Sequence, residues 1–296
     1  NICVTGDFTM SPIRCTQNPT MGEEYRRGWH PERVAPARSG TGEPVLVIGA
    51  GPAGLECAMT LGRRGLRVLL AEARRELGGR VALESRMPGL ATWARVRDYR
   101  VGQIGRLANV EVFRESRLTA ADVAELVARH IMVATGASWR RDGTGCNAIH
   151  PILAPSAANV STPDDILAGR LPEADNVTLY DDDQLYMGGV IAELLANAGR
   201  TVTFVTPGLE VSHWTSMTDE QMRVQRRLLS LGVRIHTGHA LSGYDGTTAR
   251  FADIYAGHPL EIATGHLVLV GAREPEDTLY RELLAADLPG VGSIRA

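Results

Sequence analysis

The stretch Val45-Leu46-Val47-Ile48-Gly49-Ala50-Gly51-Pro52-Ala53-Gly54 decides the fold. Val45 to Ile48 are uniformly apolar and read as a buried strand. The glycine turn runs straight into a helical stretch that ends at Arg64, with Gly65 as its stop. Strand, glycine turn and helix in this order are the setting in which such a spacing binds a dinucleotide-type ligand. Gly49 permits the tight turn, Gly51 lets the backbone approach a pyrophosphate, and Gly54 lets the helix pack closely on the strand. The helix N-terminus that follows then offers free N–H groups and a partial positive charge to phosphate oxygens.

Working outward, a strand from Arg67 to Ala71 leads into Glu72-Ala73. Glu72 lies 18 residues after Gly54, where a carboxylate can accept hydrogen bonds from adenosine ribose hydroxyls. Gly78-Gly79-Arg80 follows, with Arg80 placed to approach a diphosphate. A helical stretch from Leu90 to Leu107 and a strand Val110 to Phe113 come next. A short helix Ala120 to Ala128 then leads into a strand His130 to Ala134. The small residues Ala134-Thr135-Gly136 suit a backbone passing close to the same nucleotide. With strand, helix and acid all in place, an ADP-containing ligand is expected. A glycine turn without a ligand is the competing reading.

A second strand–helix–strand unit begins near Pro163. It has a strand Val177 to Tyr180, a helix from about Met187 to Ala198 capped by Gly199, and a strand Thr201 to Val205. A helix Asp219 to Ser230, a strand Val233 to His236 and a last strand His266 to Val270 complete it. Gly188 stands eleven residues before Gly199, as Gly54 stands eleven before Gly65. The preceding loop, Asp181-Asp182-Asp183-Gln184-Leu185-Tyr186-Met187, is two residues longer and has no glycine. Three carboxylates are expected to face an incoming diphosphate, each like-charge pair costing roughly 2–3 kcal/mol. Thr206-Pro207 at the end of the next strand supplies no acid for a ribose and no arginine for a 2′-phosphate. This unit reads as a dinucleotide fold that has lost its nucleotide, unless the acids face solvent and an atypical site survives.

Composition narrows the rest. A net charge of −3 argues against nucleic acid. No apolar run reaches the roughly 18 residues of a membrane span. With no signal-peptide pattern, a cytoplasmic protein is expected. All 31 basic residues are arginine, which excludes a lysine-bearing phosphate loop and any Schiff-base chemistry. Four cysteines are too few for a disulfide framework. Cys57 reads as a small core residue, and Cys146 lies in a glycine-rich loop with no adjacent base. His213, His236 and His239, near Trp214, match no metal spacing and are expected at the surface or in packing.

Several segments together resemble the C-terminal half of the trimethylamine, dimethylamine and histamine dehydrogenase family. This family is related to 2,4-dienoyl-CoA reductase and the N-methyl amino acid demethylases. The segments are Glu23–Arg33 (EEYRRGWHPER), Pro88–Arg100 (PGLATWARVRDYR), Ala134–Gly143 (ATGASWRRDG) and Ala272–Leu283 (AREPEDTLYREL). The resemblance implies an FMN-binding barrel ahead of this chain, then a 4Fe–4S cluster, then two doubly wound Rossmann-like α/β domains in a glutathione-reductase-like arrangement. Cys3 and Cys15 match the last two cluster ligands. The other two would precede residue 1, and a nucleotide-contacting Gly-Asp motif would follow Ala296, so the chain is expected to be incomplete at both ends. The implied domains are 1–43 (irregular iron–sulfur segment and linker), 44–172 (ADP/FAD-binding), 173–271 (NAD(P)-binding-like, degenerate) and 272–296 (return to the first domain).

The degenerate second motif separates the branches of this family. Dienoyl-CoA-type reductases need NADPH in the second domain and FAD in the first. In the amine dehydrogenases the first domain holds ADP as a structural remnant of FAD, and electrons pass from substrate through FMN and the cluster to an electron-transferring flavoprotein. The expectation is therefore the electron-transfer portion of an amine dehydrogenase, homo-oligomeric when complete. ADP or FAD would rest on Gly49, Gly51, Pro52, Ala53, Gly54, Glu72, Ala73, Gly79, Arg80, Ala134, Thr135 and Gly136. An NAD(P)H-dependent enoate reductase and a non-catalytic ADP-binding scaffold are the alternatives.

Overall fold

The computed structural model describes residues 2–23, 34–37, 42–126, 128–154, 156–286, 288 and 290–296. Residues 24–33, which carry most of the segment Glu23–Arg33, and residues 38–41 of the expected linker therefore lie outside the described residues. In chain order the elements begin with α1 (Ile2–Phe8), β1 (Val45–Ile48), α2 (Pro52–Arg63), β2 (Val68–Ala71) and α3 (Arg80–Glu84). A 3-10 turn at Ala91–Trp93 enters α4 (Ala94–Ile104), followed by β3 (Val110–Phe113), α5 (Ala120–Glu125), β4 (His130–Val133) and β5 (Ala137–Trp139). Then come β6 (Val160–Ser161), α6 (Pro163–Leu167), β7 (Asn176–Asp181), α7 (Tyr186–Asn197), β8 (Thr201–Val205), a 3-10 helix at His213–Thr218, α8 (Gln221–Ser230) and β9 (Arg234–His236). The chain ends with β10 (His239–Tyr244), β11 (Thr248–Asp253), β12 (Pro259–Ala263), β13 (His266–Val270), β14 (Arg273–Pro275), α9 (Thr278–Ala285) and β15 (Ser293–Arg295).

The chain divides into two units. The fingerprint unit comprises Arg14–Arg86, Leu90–Ala137 and Pro275–Ala296. Its sheet has the order β15-β4-β1-β2-β3, parallel throughout, with β1 in the middle. A central parallel strand is covered on both faces, which is why Val45 to Ile48 is apolar without alternation. On one face Val45 and Val47 pack with Leu55, Ala58 and Met59 of α2 and Ile104 of α4. On the other, Leu46 and Ile48 pack with Val123 of α5 and Leu283 of α9. Thr119 caps α5 reciprocally with Asp122, whose side chain accepts from the Thr119 N–H at 2.7 Å.

The acidic-loop unit comprises Asn1–Ile13, Met87–Gly89 and Ser138–Glu274. Its parallel sheet has the order β6-β13-β7-β8-β9, and a separate antiparallel sheet has the order β10-β11-β12. Tyr180, Val205 and Leu269 of the parallel strands share a core with Leu241 and Phe251 of the antiparallel ones.

Two features differ from the expectation. The chain leaves the fingerprint unit at Ala137 rather than near 172, because β6 pairs with β13 of the second sheet. A strand of two residues, Val160–Ser161, is too short to show a period in the sequence. The N-terminal stretch is not all loop: Ile2–Phe8 is helical and packs against the 3-10 helix His213–Thr218 within the same unit. Seven residues carry almost no helical signal of their own, so that helix depends on its tertiary partner.

Candidate nucleotide site

The fingerprint turn is held by backbone bonds on both sides. Gly49 N–H donates to Ala71 O at 2.8 Å, and Ala134 N–H donates to Ile48 O at 2.7 Å. Gly49 has φ +99°, and a Cβ there would run into the carbonyl of Ala134. A Cβ on Gly54 would take the place of the Gly49 carbonyl oxygen, so α2 meets β1 at a distance only glycine allows. Gly51 is different. It is extended, at φ −70° and ψ −178°, and among the described residues nothing lies within 4 Å of where its Cβ would be. Its missing side chain leaves open space at the head of a twelve-residue helix that has no side-chain cap. The N–H groups of the first turn of α2, at Ala53 and Gly54, are therefore available to an anionic ligand.

Glu72 sits at the carboxyl end of β2, 7% exposed. Its Oε2 accepts from Ala50 N–H at 2.7 Å and its Oε1 from Arg74 N–H at 2.8 Å. The carboxylate thus first holds the fingerprint turn, a role the sequence did not announce. One lone pair on each oxygen remains for a ribose. Ala73 is exposed on the rim. Gly78 N–H donates to Ala50 O at 2.8 Å, and a Cβ on Gly79 would stand 2.9 Å from Gly51 Cα. Arg80 starts α3, and its Nη2 donates to Ala137 O at 2.6 Å while Nε lies 3.8 Å from Glu84. Its guanidinium therefore braces the turn after β4. That turn is fixed again by Thr135, whose hydroxyl donates to Glu276 O at 2.6 Å, and by Glu276 N–H to Gly136 O at 2.9 Å. The residues named for the nucleotide thus converge on one end of the sheet.

The acidic loop departs from expectation. Asp181 and Asp182 are fully buried and turn into the fold instead of facing a ligand. Asp181 Oδ1 accepts from Gln184 N–H at 3.0 Å, and a Cβ on Gly188 would come within 2.5 Å of the Asp181 carboxyl carbon. The aspartate therefore occupies the space that the third glycine leaves. Asp182 accepts from Asn147 N–H at 3.0 Å and lies against Gly145. Burial pushes Asp181 well above the usual carboxylate range. Asp182 and Asp183 are also raised by burial, which outweighs the pull of Arg273 on Asp183. The first turn of α7 is covered by the chain's own following segment. Gln184 O accepts from Trp214 N–H at 3.0 Å, and the Ser212 hydroxyl lies 3.2 Å from where a Cβ on Gly189 would be. Gln184 and Ser212 both adopt left-handed backbone angles, φ 55° and 50°. Such angles cost energy in non-glycine residues and persist where surrounding contacts fix them.

Cys3 is exposed on α1, and Cys15 is half-buried with its sulfur accepting from Gln17 N–H at 3.4 Å. Cys57 packs partly buried against the fingerprint core, and Cys146 is exposed, its thiol raised by burial and nearby aspartates. Among the described residues no three potential metal ligands come together. His213 stacks edge-on against Trp214 at 5.2 Å, and His236 against His239 at 6.2 Å. Sequence reading missed the contact of Ser161 with His266 Nε2 at 2.9 Å; the serine is buried, which suits a cross-strand structural bond. It also missed Glu76 and Arg97, which grip the loop beneath Gly78. Among the described residues no helix is long and apolar enough to cross a membrane.

Comparison with known proteins assigns the chain to a family. Residues 43–287 match the family model described as pyridine nucleotide-disulphide oxidoreductase. Dimethylamine dehydrogenase of Hyphomicrobium sp. (strain x) is 34% identical over 311 residues, covering 96% of this chain and 42% of that protein. The histamine dehydrogenase structure from Rhizobium sp. 4-9 superposes with a TM-score of 0.95 at 46% identity, over 99% of this chain and 46% of that one. The 6-hydroxypseudooxynicotine amine oxidase of Pseudomonas geniculata N1 superposes with a TM-score of 0.95 at 43% identity, over 100% of this chain and 44% of that one. The chain thus spans less than half the length of these relatives. It belongs to the pyridine nucleotide-disulphide oxidoreductase family and is homologous to the dimethylamine and histamine dehydrogenases.

Proposed function

We propose that this chain is the nucleotide-binding, electron-transfer portion of an amine dehydrogenase and that its fingerprint unit holds ADP or FAD. The observation that carries this reading is the contrast between two equivalent helix starts. At α2 the position beside Gly51 is open and the first-turn N–H groups are free of side-chain caps. At α7 the preceding loop has no glycine, the Asp181 side chain packs against Gly188, and the segment bearing Ser212 and Trp214 lies over the first turn. A pyrophosphate would lie against Gly51, Ala53 and Gly54, with Gly79 behind it. The remaining lone pairs of Glu72 would take the ribose, and Ala73 would edge the adenosine. Pro52 fixes the entry of the helix, while Arg80, Ala134, Thr135 and Gly136 hold the neighbouring turn in place. Bound FAD would supply a two-electron carrier, whereas ADP would be a structural nucleotide only.

The names of the relatives suggest an amine as substrate, oxidised in an FMN-bearing part of the whole protein. Cys3 and Cys15 would contribute two thiolates to a 4Fe–4S cluster, and the Gln17 N–H on the Cys15 sulfur is the kind of bond that tunes such ligands. Electrons would leave to an electron-transferring flavoprotein. The test is an absorbance spectrum of the full chain with analysis of acid-released nucleotide. Colourless protein releasing ADP supports the amine dehydrogenase reading with a structural nucleotide. Absorbance near 450 nm with released FAD, bleached by NADPH, would favour an enoate-type reductase instead. If the complete protein carries no redox centre after cluster reconstitution, a non-catalytic ADP-binding scaffold becomes the better account.

A further inference from the structure

The loop from Glu76 to Gly79 is pressed onto the fingerprint from behind by one side chain. Arg97, in the first turn of α4, reaches back with Nη1 2.8 Å from Glu76 Oε1, while its Nε donates to Asp98 at 2.7 Å. Arg86 pairs with the other oxygen of Glu76. The aliphatic stem of Arg97 crosses Gly78, so that a Cβ there would stand 2.5 Å from Arg97 Cδ and 2.8 Å from Cγ. Gly78 also has φ +112°. The first glycine of the Gly-Gly pair therefore leaves room for an arginine that lies 19 residues later in the chain. On the far side of the loop, Gly78 N–H is bonded to Ala50 O and Gly79 lies against Gly51 Cα. Leu77, just before the pair, is buried in the core.

We propose that Arg97 is a positioning residue for the nucleotide. It clamps the Glu76–Gly79 loop through its ion pair and its stem, and so holds Gly79 beside the open face of Gly51. It touches no ligand itself. Its side chain is 23% exposed and that of Glu76 45%, so the pair contributes little to global stability but fixes where a short loop rests. This inference rests on the reading that the fingerprint unit binds ADP or FAD.

The test is calorimetric titration of ADP and of adenosine into the full chain and its variants. Arg97→Met keeps most of the stem over Gly78 and removes the ion pairs. We expect it to weaken ADP about fivefold while adenosine affinity stays within about twofold. Glu76→Gln should match it, and the double variant should add little beyond either single one, because the proposed clamp is the one contact that the two residues share. Arg97→Ala also uncovers Gly78 and should weaken ADP further. Unchanged ADP affinity in both Arg97→Met and Glu76→Gln overturns the proposal, as does equal loss for ADP and adenosine, the signature of a general structural defect. If Arg97→Met does not fold, Glu76→Gln decides alone. A wild-type chain that binds neither ADP nor FAD overturns the nucleotide reading itself, and the inference with it.

Discussion

Asp181 shows how far one residue can depart from its apparent role. In the sequence it is the first of three acids that should repel a diphosphate. In the fold it is fully buried, and its Oδ2 has no hydrogen-bond partner among the described residues. Burial raises its pKa, against the opposing bond from Gln184 N–H. The folded state therefore holds the proton more tightly than the unfolded chain, whose aspartates titrate near pH ~3.9. The stability tied to this proton is fully present below that value and is lost as pH rises toward the folded pKa. Asp181→Asn mimics the neutral acid and keeps an oxygen for Gln184. It should raise the melting temperature at pH 7 and lose that advantage near pH ~4. Melting curves at the two pH values decide; a variant destabilised equally at both would mean a charged, well-paired aspartate.

At the scale of elements, α2 and α4 are joined by a buried ion pair. Arg100 is 4% exposed; its Nε donates to Glu56 at 2.7 Å and its Nη1 to Val96 O at 2.9 Å. Its Nη2 reaches Gln17 O at 3.4 Å, and the N–H of that same residue donates to the Cys15 sulfur. One guanidinium thus ties the fingerprint helix, α4 and the Cys15 segment together within one unit. Arg100→Ala should cost about 3 kcal/mol, the low end for breaking a buried pair, because the Glu56 side chain keeps 27% of its exposure. Denaturant unfolding gives the loss. Alkylation of Cys15 under native conditions should also quicken in the variant, and an unchanged rate would show that the segment is held by other contacts.

Across the whole molecule, two parallel five-stranded sheets each lead into a glycine-bearing helix start, and the proposed reading puts the nucleotide at α2 alone. A ligand that binds only the folded state raises stability by mass action. ADP at a hundred times its dissociation constant should therefore stabilise the chain by about 2.7 kcal/mol, read as a rise in melting temperature. NADPH should produce no shift through the second unit, where Asp181 packs against Gly188 and the Ser212–Trp214 segment lies over the first turn of α7. A clear NADPH shift that survives saturation with ADP would place a working nucleotide site at α7.

The sequence by itself determined the α/β class with parallel sheets and pointed to the turn where a nucleotide site is proposed. Both rest on local signals: an apolar run before a glycine turn, helical spacing after it, and an acid at a fixed offset. It also showed that the second loop departs from the fingerprint, because Asp181 to Asp183 stand where glycines would be. Tertiary structure alone decided what those residues do. Glu72 bonds Ala50, Arg80 braces Ala137, and Gly78 makes room for Arg97. Each of those contacts joins residues from 19 to 57 positions apart, a separation at which no periodicity or turn rule operates. The helix Ile2–Phe8 and the strand Val160–Ser161 were hidden for a related reason. Both are too short to be stable alone, and they exist because a partner element supplies the burial that their own sequence cannot.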